Sequence, residues 1–154
     1  YYPSDRGWKF GGPLERFMHS VGMFARTDPL RLDGFDGSGA DYLDRYKDRI
    51  GDGETVIASP HKLVGPQSND LVLQLRKRAV TQVILAGMAA NLCTESHLRE
   101  LIEQGFEVVV VRDATAGPRL PEGDGYLAAL VNFRFLASAT WTTAQTVTEL
   151  TKPR

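Results

Sequence analysis

The sequence contains little of the residue types that bind metals or form disulfides. Among its 154 residues there is a single cysteine, Cys93, and there are three histidines, His19, His61 and His97. A lone cysteine excludes an internal disulfide, so a reducing, cytoplasmic setting is expected. None of the histidines stands at the spacing of a paired metal ligand, so we expect neither a metal site nor a cofactor.

A strong charge of one sign and long apolar runs are also missing. The formal net charge is -1, which gives no electrostatic attraction for nucleic acid or for an anionic membrane surface. No apolar stretch is long enough to span a bilayer. With 42% hydrophobic and 24% charged residues, the composition is that of a globular protein, and the length predicts one domain over residues 1–154.

From residue 38 onward, the apolar residues recur with the periods of strands and helices in alternation. The predicted strands lie at 55–58, 82–86, 107–111 and 138–142. The predicted helices lie at 14–21, 40–46, 95–104 and 126–135, with one more capped by Ser68 or Asn69 and a last one that starts at Thr143 or Ala144. This alternation predicts an α/β fold with three layers (α/β/α) and a mainly parallel sheet. The valines at 108–111 favour a strand that is buried on both faces.

The first forty residues are rich in glycine, proline and aromatic side chains, and their hydrophobic pattern is irregular outside the helix at 14–21. Long ordered loops of this kind can wall a binding site. Tyr2 and Trp8 are therefore candidate substrate-binding residues, and a loop that only covers the surface is the alternative.

Cys93 lies where a predicted strand gives way to a helix. The apolar run 83–86 precedes a turn of small residues at 87–91, and a helical pattern follows the cysteine. This order places the side chain at the carboxyl end of the sheet, next to the positive end of a helix dipole, where thiolate, the nucleophilic form, is favoured. Lys62 and Asp113 also follow predicted strands, so the three side chains are expected at one edge of the sheet. A buried structural cysteine is the alternative.

Two segments resemble those of a known family. Residues 83–96 read Val-Ile-Leu-Ala-Gly-Met-Ala-Ala-Asn-Leu-Cys-Thr-Glu-Ser, and residues 105–114 read Gly-Phe-Glu-Val-Val-Val-Val-Arg-Asp-Ala. They resemble the isochorismatase-like cysteine hydrolases, which have a hydrophobic strand, a Gly-x-Ala turn, the nucleophilic cysteine with its helix, and a strand that ends on Asp-Ala. The resemblance extends from residue 55 to the end of the sequence, and residues 1–36 resemble the amidase branch of the family.

The resemblance implies an enzyme that cleaves an amide or ureide-like C–N bond of a small molecule through a covalent acyl-enzyme. Cys93 matches the nucleophile, and Lys62 matches the catalytic lysine, whose ammonium would stabilise the thiolate. A cis peptide is implied between Met88 and Ala89, with the backbone N–H groups of Ala89 and Cys93 forming the oxyanion hole. Family members form homo-oligomers, and the same is expected here.

Two other functions stay open. The family includes isochorismate hydrolysis, the cleavage of a vinyl ether that need not use a thiol nucleophile, although Cys93 favours the amidase reaction. The second is a non-catalytic α/β scaffold, because the aspartate that ends the family's first strand has no counterpart before Trp8. We therefore expect the chain to be part of a longer protein; otherwise another base replaces the aspartate, or the protein is inactive. Asp5 is only a weak substitute, and Asp113 is expected to cap a turn.

Further departures from the family bear on the pocket. Metal-binding members carry an Asp-x-His motif that this sequence lacks, which argues against a nicotinamidase-type metal site. Residues 63–67 lack the Ser-Ala-Phe that often follows the lysine, so a different substrate pocket is expected. His97 follows Cys93 by one helical turn, but such a side chain points back along its helix, so we expect it to pack there and not to form a papain-like Cys–His dyad.

Overall fold

The computed structural model describes residues 12–20 and 41–153. The chain divides into two compact units, Tyr1–Thr55 and Val56–Arg154. Among the helices in the described ranges, none is long and apolar enough to cross a membrane. The expectation of one domain over residues 1–154 stays a prediction.

Two short helices are described in the first unit, α1 (Pro13–Ser20) and α2 (Asp44–Ile50). The first agrees with the predicted helix to within one residue. The second begins later than predicted, because the Asp41 carboxylate accepts hydrogen bonds from the Tyr42 backbone N–H at 2.7 Å and from the Lys47 ammonium at 2.6 Å. An aspartate that bonds to nearby backbone in this way favours a turn ahead of the helix.

The second unit alternates strands and helices. Its strands are β1 (Gln82–Met88), β2 (Glu107–Ala116), β3 (Arg119–Leu120), β4 (Gly123–Asp124) and β5 (Ala139–Trp141). Its helices are α3 (Leu71–Lys77), α4 (Glu95–Glu103), α5 (Gly125–Leu136) and α6 (Thr143–Leu150), with a 3₁₀ turn at Pro66–Ser68 and a π-helical turn at Ala90–Thr94. The bounds of β1, α4, α5 and β5 agree with the predicted ones to within two residues.

The main sheet has the strand order β1-β2-β5, and its neighbouring strands run parallel. One face packs on α4 and α5, where Val108, Val110 and Phe133 are fully buried. The opposite face carries Val109, near Leu150 of α6. Helices on both faces confirm the predicted three-layer α/β fold with a parallel sheet.

Strand β2 continues past its predicted end at residue 111. Leu85 of β1 pairs with Val110, but Gly87 pairs with Thr115. Residues 111–114 therefore bulge away from β1 before the pairing resumes. The extension depends on a partner, the end of β1, that the polar residues of β2 do not reveal by themselves.

The strand predicted at 55–58 is wrong. These residues are not in a strand, and Val56 and Ile57 are 40% and 60% exposed. A short run of β-branched residues forms a strand only where a neighbour supplies hydrogen-bond partners. No strand within the described ranges pairs with it.

Candidate active site

Cys93 lies in the π-helical turn Ala90–Thr94, which joins β1 to α4. The turn is anchored at both ends, because Ala90 is fully buried and Thr94 is only 3% exposed. The Ala89 carbonyl accepts a hydrogen bond from the Thr94 backbone N–H at 3.1 Å. Cys93 itself is half-buried, so a packed turn holds the thiol while leaving it partly accessible.

The backbone before this turn has the geometry that the family resemblance predicts. The peptide bond between Met88 and Ala89 is cis. Gly87, just before it, has a φ of 117°, in a region that glycine alone adopts without strain. The N–H groups of Ala89 and Cys93 belong to one short turn directly after β1, and their role as oxyanion donors stays a prediction.

Lys62 lies in a closed loop, residues 59–70, which we call the Lys62 segment. At its ends, the backbone N–H and the hydroxyl of Ser59 donate to the Asp70 carboxylate at 2.7 and 3.0 Å. Within it, the Lys62 backbone N–H donates to the Ser68 hydroxyl at 2.8 Å. Polar side chains, and not a strand ladder, thus fix the backbone that carries the lysine.

The carboxylate that closes this loop is held in its ionised form. Hydrogen bonds from the Gln74 side chain, and then from the backbone and hydroxyl of Ser59, lower the pKa of Asp70 to about 2. The stability that these bonds contribute is therefore complete above about pH 4, the range of an unperturbed aspartate, and is lost as the pH falls through the lowered pKa.

Two contacts bring the Lys62 segment to the cysteine turn and α4. The Cys93 thiol donates to the Leu63 carbonyl at 3.9 Å, and the Gln67 side-chain amide donates to the Glu100 carboxylate at 2.8 Å. Lys62 is thus the neighbour in sequence of the carbonyl that contacts the thiol. Its side chain is exposed and, within residues 12–20 and 41–153, forms no hydrogen bond or ion pair. The two predicted catalytic segments lie together, and the role of the ammonium stays a prediction.

Two histidines meet beside the cysteine turn. His97 Nδ1 lies 2.7 Å from the Cys93 carbonyl oxygen, and because a carbonyl can only accept, the Nδ1–H is the donor. The His97 ring contacts the His61 ring edge-on, with centroids 5.2 Å apart and an interplanar angle of 63°. Burial and the nearby His97 lower the pKa of His61. His97 thus packs on the helix, as predicted, with this nitrogen bonded to backbone, while its pairing with His61 has no local signal in the sequence.

Asp113 serves α6. Its carboxylate accepts hydrogen bonds from the Thr143 backbone N–H at 2.7 Å and from the Thr143 hydroxyl at 3.0 Å. Desolvation opposes ionisation, but these bonds outweigh it, and the pKa of Asp113 lies below its ordinary value. Asp113 was expected to cap a turn; its carboxylate is instead occupied by hydrogen bonds at the start of α6, beside the N-cap residue Thr142.

Asn91, in the cysteine turn, is a residue that the sequence did not single out. Its Oδ1 is buried and has no hydrogen-bond partner among the residues that the structure describes. Its side chain presses on Gly125 at the start of α5, where a Cβ would lie 2.6 Å from Asn91 Nδ2. Glycine at position 125 therefore allows α5 to pack directly on the turn that carries Cys93.

The other predicted site residues, Tyr2 and Trp8, lie outside the described residues. In the part of the chain that is described, no three His, Cys, Asp or Glu side chains gather closely enough to hold a metal ion. A cavity of about 410 Å³ lies on the α6 face of the sheet, where Ile84, Trp141 and Leu150 contribute apolar walls. It also reaches Gln82, at the amino end of β1, whereas Cys93 follows the carboxyl end, so this cavity is separate from the cysteine turn.

Comparisons with known proteins give a consistent family. The model of the Isochorismatase domain family matches residues 9–146. YecD of Escherichia coli O157:H7, described as an uncharacterized isochorismatase family protein, is 42% identical over 45 residues, which are 29% of this chain and 24% of that protein. The matched part thus spans about a quarter of the length of that curated relative.

Solved structures support the same fold. A cysteine hydrolase from Pseudomonas syringae pv. phaseolicola 1448A is 25% identical with a TM-score of 0.55, over 61% of this chain and 48% of that chain. The nicotinamidase PncA from Bacillus subtilis is 23% identical with a TM-score of 0.58, over 70% of this chain and 60% of that chain. The second similarity is one of fold alone.

Proposed function

This chain belongs to the isochorismatase family. We propose that it hydrolyses an amide or ureide-like C–N bond of a small molecule, with Cys93 as the nucleophile. The observation that carries the proposal is the position of the thiol: half-buried, in a turn anchored by Ala90 and Thr94, and 3.9 Å from the Leu63 carbonyl. The similarity to a protein named a cysteine hydrolase supports the choice of nucleophile.

In the proposed reaction, the Cys93 thiolate attacks the carbonyl carbon of the substrate. A C–S bond forms, and the carbonyl oxygen takes the negative charge, which the backbone N–H groups of Ala89 and Cys93 stabilise. Collapse of this intermediate breaks the C–N bond, and the amine leaves with a proton from a general acid, which the family chemistry assigns to an aspartate. Water then hydrolyses the thioester to release the acid and restore the thiol.

The proposed role of Lys62 is electrostatic. An ammonium group near a thiolate stabilises the anion. The Lys62 segment lies against the turn through Leu63, and the lysine side chain is free to reorient because it is exposed. We assign the ammonium to the thiolate in the free protein as well as in the complex with substrate, reached by rotation of this exposed side chain.

Variants of Cys93 and Lys62 in the full-length protein test this function. Cys93→Ser and Lys62→Ala should fold and should each lose hydrolysis, by about a thousand-fold or more for the nucleophile. The substrates are simple amides, carbamoyl compounds and isochorismate, with an acyl-enzyme sought by intact mass. Lys77→Ala, at an exposed lysine at the end of α3, is the matched control and should keep full activity.

The outcomes separate the alternatives. Cys93→Ser that still hydrolyses a substrate of the native protein would refute the nucleophile. Turnover of isochorismate alone would indicate that the protein cleaves a vinyl ether and not an amide. A native protein that turns over none of the three classes and forms no acyl-enzyme would favour the non-catalytic scaffold.

A further inference from the structure

His61 and His97 are not part of the reaction described above, yet they meet beside its two central residues. His61 directly precedes Lys62 in the chain, and the two imidazole rings lie 5.2 Å apart between centroids. His97 lies on the first turns of α4 and bonds to the Cys93 carbonyl at 2.7 Å. The pair therefore connects the Lys62 segment to the backbone of the nucleophile.

The hydrogen bond to Cys93 determines the tautomer of His97. Since the carbonyl oxygen only accepts, Nδ1 carries the hydrogen, and in the neutral ring Nε2 carries none. A second proton would add at Nε2 and make the ring a cation beside His61. Charging both rings would place two cations side by side, with centroids 5.2 Å apart.

His61 is placed so that a charge on it is unfavourable. Its Nδ1 is buried and, among the described residues, has no hydrogen-bond partner. Burial first, and the charge of His97 second, lower its pKa. The stability of this contact is thus complete above the ordinary histidine pKa of about 6.5 and falls as the pH drops below that value.

Among the described residues, no carboxylate forms an ion pair with His61 or His97, and Glu95 of α4 is paired with Arg99 instead. Lys62 and the Cys93 thiol stand on the segments that the pair connects. The Glu100 carboxylate on α4 is bonded to the side chains of Gln67 and Gln104, and the Asp70 carboxylate before α3 is bonded to Ser59 and Gln74, as described above. Two adjacent histidinium ions would therefore repel each other in half-buried surroundings.

We propose that His97 is a positioning residue: through the Cys93 carbonyl and the ring of His61, it holds the Lys62 segment against the nucleophile turn while both imidazoles are neutral. The catalytic consequence rests on the proposed function, because it is Lys62 that is positioned. The contact itself does not depend on any substrate, so the reactivity of the thiol reports on it separately from hydrolysis.

The test is the rate at which iodoacetamide alkylates Cys93 in the full-length protein, followed by intact mass between about pH 5 and about pH 9. His97→Phe keeps a ring against His61 but removes the Nδ1–H donor, and His97→Asn keeps a donor near the same place but removes the ring. His61→Phe keeps the ring contact and removes the group that must stay neutral. A thermal melt of each variant shows that it is folded.

We expect His97→Phe to lower the alkylation rate at neutral pH about ten-fold, the factor that a single hydrogen bond of ordinary strength supplies. His97→Asn should recover part of that loss. His61→Phe should match the native rate at neutral pH and lie above the native rate at acid pH, because the repulsion between histidinium ions is gone.

A cycle with Lys62→Ala distinguishes positioning from simple packing. If His97 acts through the lysine, His97→Phe slows alkylation much less in the Lys62→Ala background than in the native protein. An equal loss in both backgrounds, or native rates in His97→Phe at every pH, would overturn the proposal. If His97→Phe fails to fold, an unchanged acid limb in His61→Phe overturns it instead. Loss of hydrolysis in Cys93→Ser is scored independently, so failure of the function and failure of the positioning are told apart.

Discussion

The cysteine turn and the Lys62 segment lie against each other, but they are held in place by different forces. The turn is enclosed by β1, α4 and α5, and its anchors Ala90 and Thr94 are buried. In the Lys62 segment only Gly65 and Pro66 are buried, and the hydrogen bonds of Ser59, Ser68 and Asp70 define the course of the rest. One side of the site is positioned by packing and the other by polar clamps.

This difference indicates which substitutions damage the whole fold and which damage only the site. Burial of one large apolar side chain contributes about 1.5–3 kcal/mol, whereas one exposed hydrogen bond contributes about 1 kcal/mol or less. Damage to the packing of the turn should therefore lower global stability. Damage to the clamps should change the reactivity of Cys93 while leaving the unfolding free energy nearly unchanged.

The largest effect is expected from the packed side. Phe133→Ala removes a fully buried ring of α5 and should lower the free energy of unfolding by about 3–5 kcal/mol, as measured by urea denaturation. Phe135→Ala on the same helix is the matched control, because that ring is 85% exposed. Similar losses in the two variants would show that the core is not where the structure places it.

An intermediate loss of stability is expected at the contact between α5 and the cysteine turn. In Gly125→Ala the new methyl would lie 2.6 Å from Asn91 Nδ2, so we expect a loss of about 1–3 kcal/mol and slower alkylation of Cys93. The double variant Asn91→Ala/Gly125→Ala removes the clash and should be more stable than Gly125→Ala alone. A double variant that is no better would place the cost in the backbone of α5 itself.

The smallest effect on stability is expected from the hydrogen bond between Ser68 and Lys62. Here a change in the reactivity of Cys93 should be most clearly separated from any change in stability. Ser68→Ala removes the acceptor for the Lys62 backbone N–H. The free energy of unfolding should change by less than about 1 kcal/mol, while alkylation of Cys93 and turnover both slow several-fold. Ser138→Ala, at an exposed serine before β5, is the control and should change neither. A stability loss as large as that of Phe133→Ala would contradict the comparison.

The predictability of the fold follows the same division. The bounds of β1, α4, α5 and β5 could be predicted because each is marked in the sequence by apolar residues and packs on a neighbouring element. The end of β2 could not, since Arg112 and Asp113 are polar and extend the strand only because the end of β1 pairs beyond them. The strand predicted at 55–58 is wrong, because β-branched residues favour a strand in the sequence pattern whether or not a partner strand is present.

At the site, the sequence predicted the features that lie on the continuous segment around Cys93. The strand, turn and helix around Cys93 were predicted from the local sequence, whereas the cis peptide was implied by the family resemblance alone. The contact of His61 with His97 and the close packing of Asn91 on Gly125 were not predicted, because each joins parts of the chain that only the tertiary fold brings together. Lys62 was reached through the family resemblance alone, since its clamp by Ser68 has no motif.

The bulge in β2 has a consequence for how such a protein can diverge over evolution. Residues 107–110 and 115–116 keep β1, and with it the cysteine turn, in register. Residues 112–114, between them, pair with neither neighbouring strand of the sheet. Substitution of the exposed Arg112 side chain should therefore leave the register of β1 unchanged, whereas the Arg112 carbonyl and the Asp113 carboxylate bond to Tyr126 of α5 and Thr143 of α6. The exposed side chains of the bulge can therefore vary while the turn that carries Cys93 keeps its position.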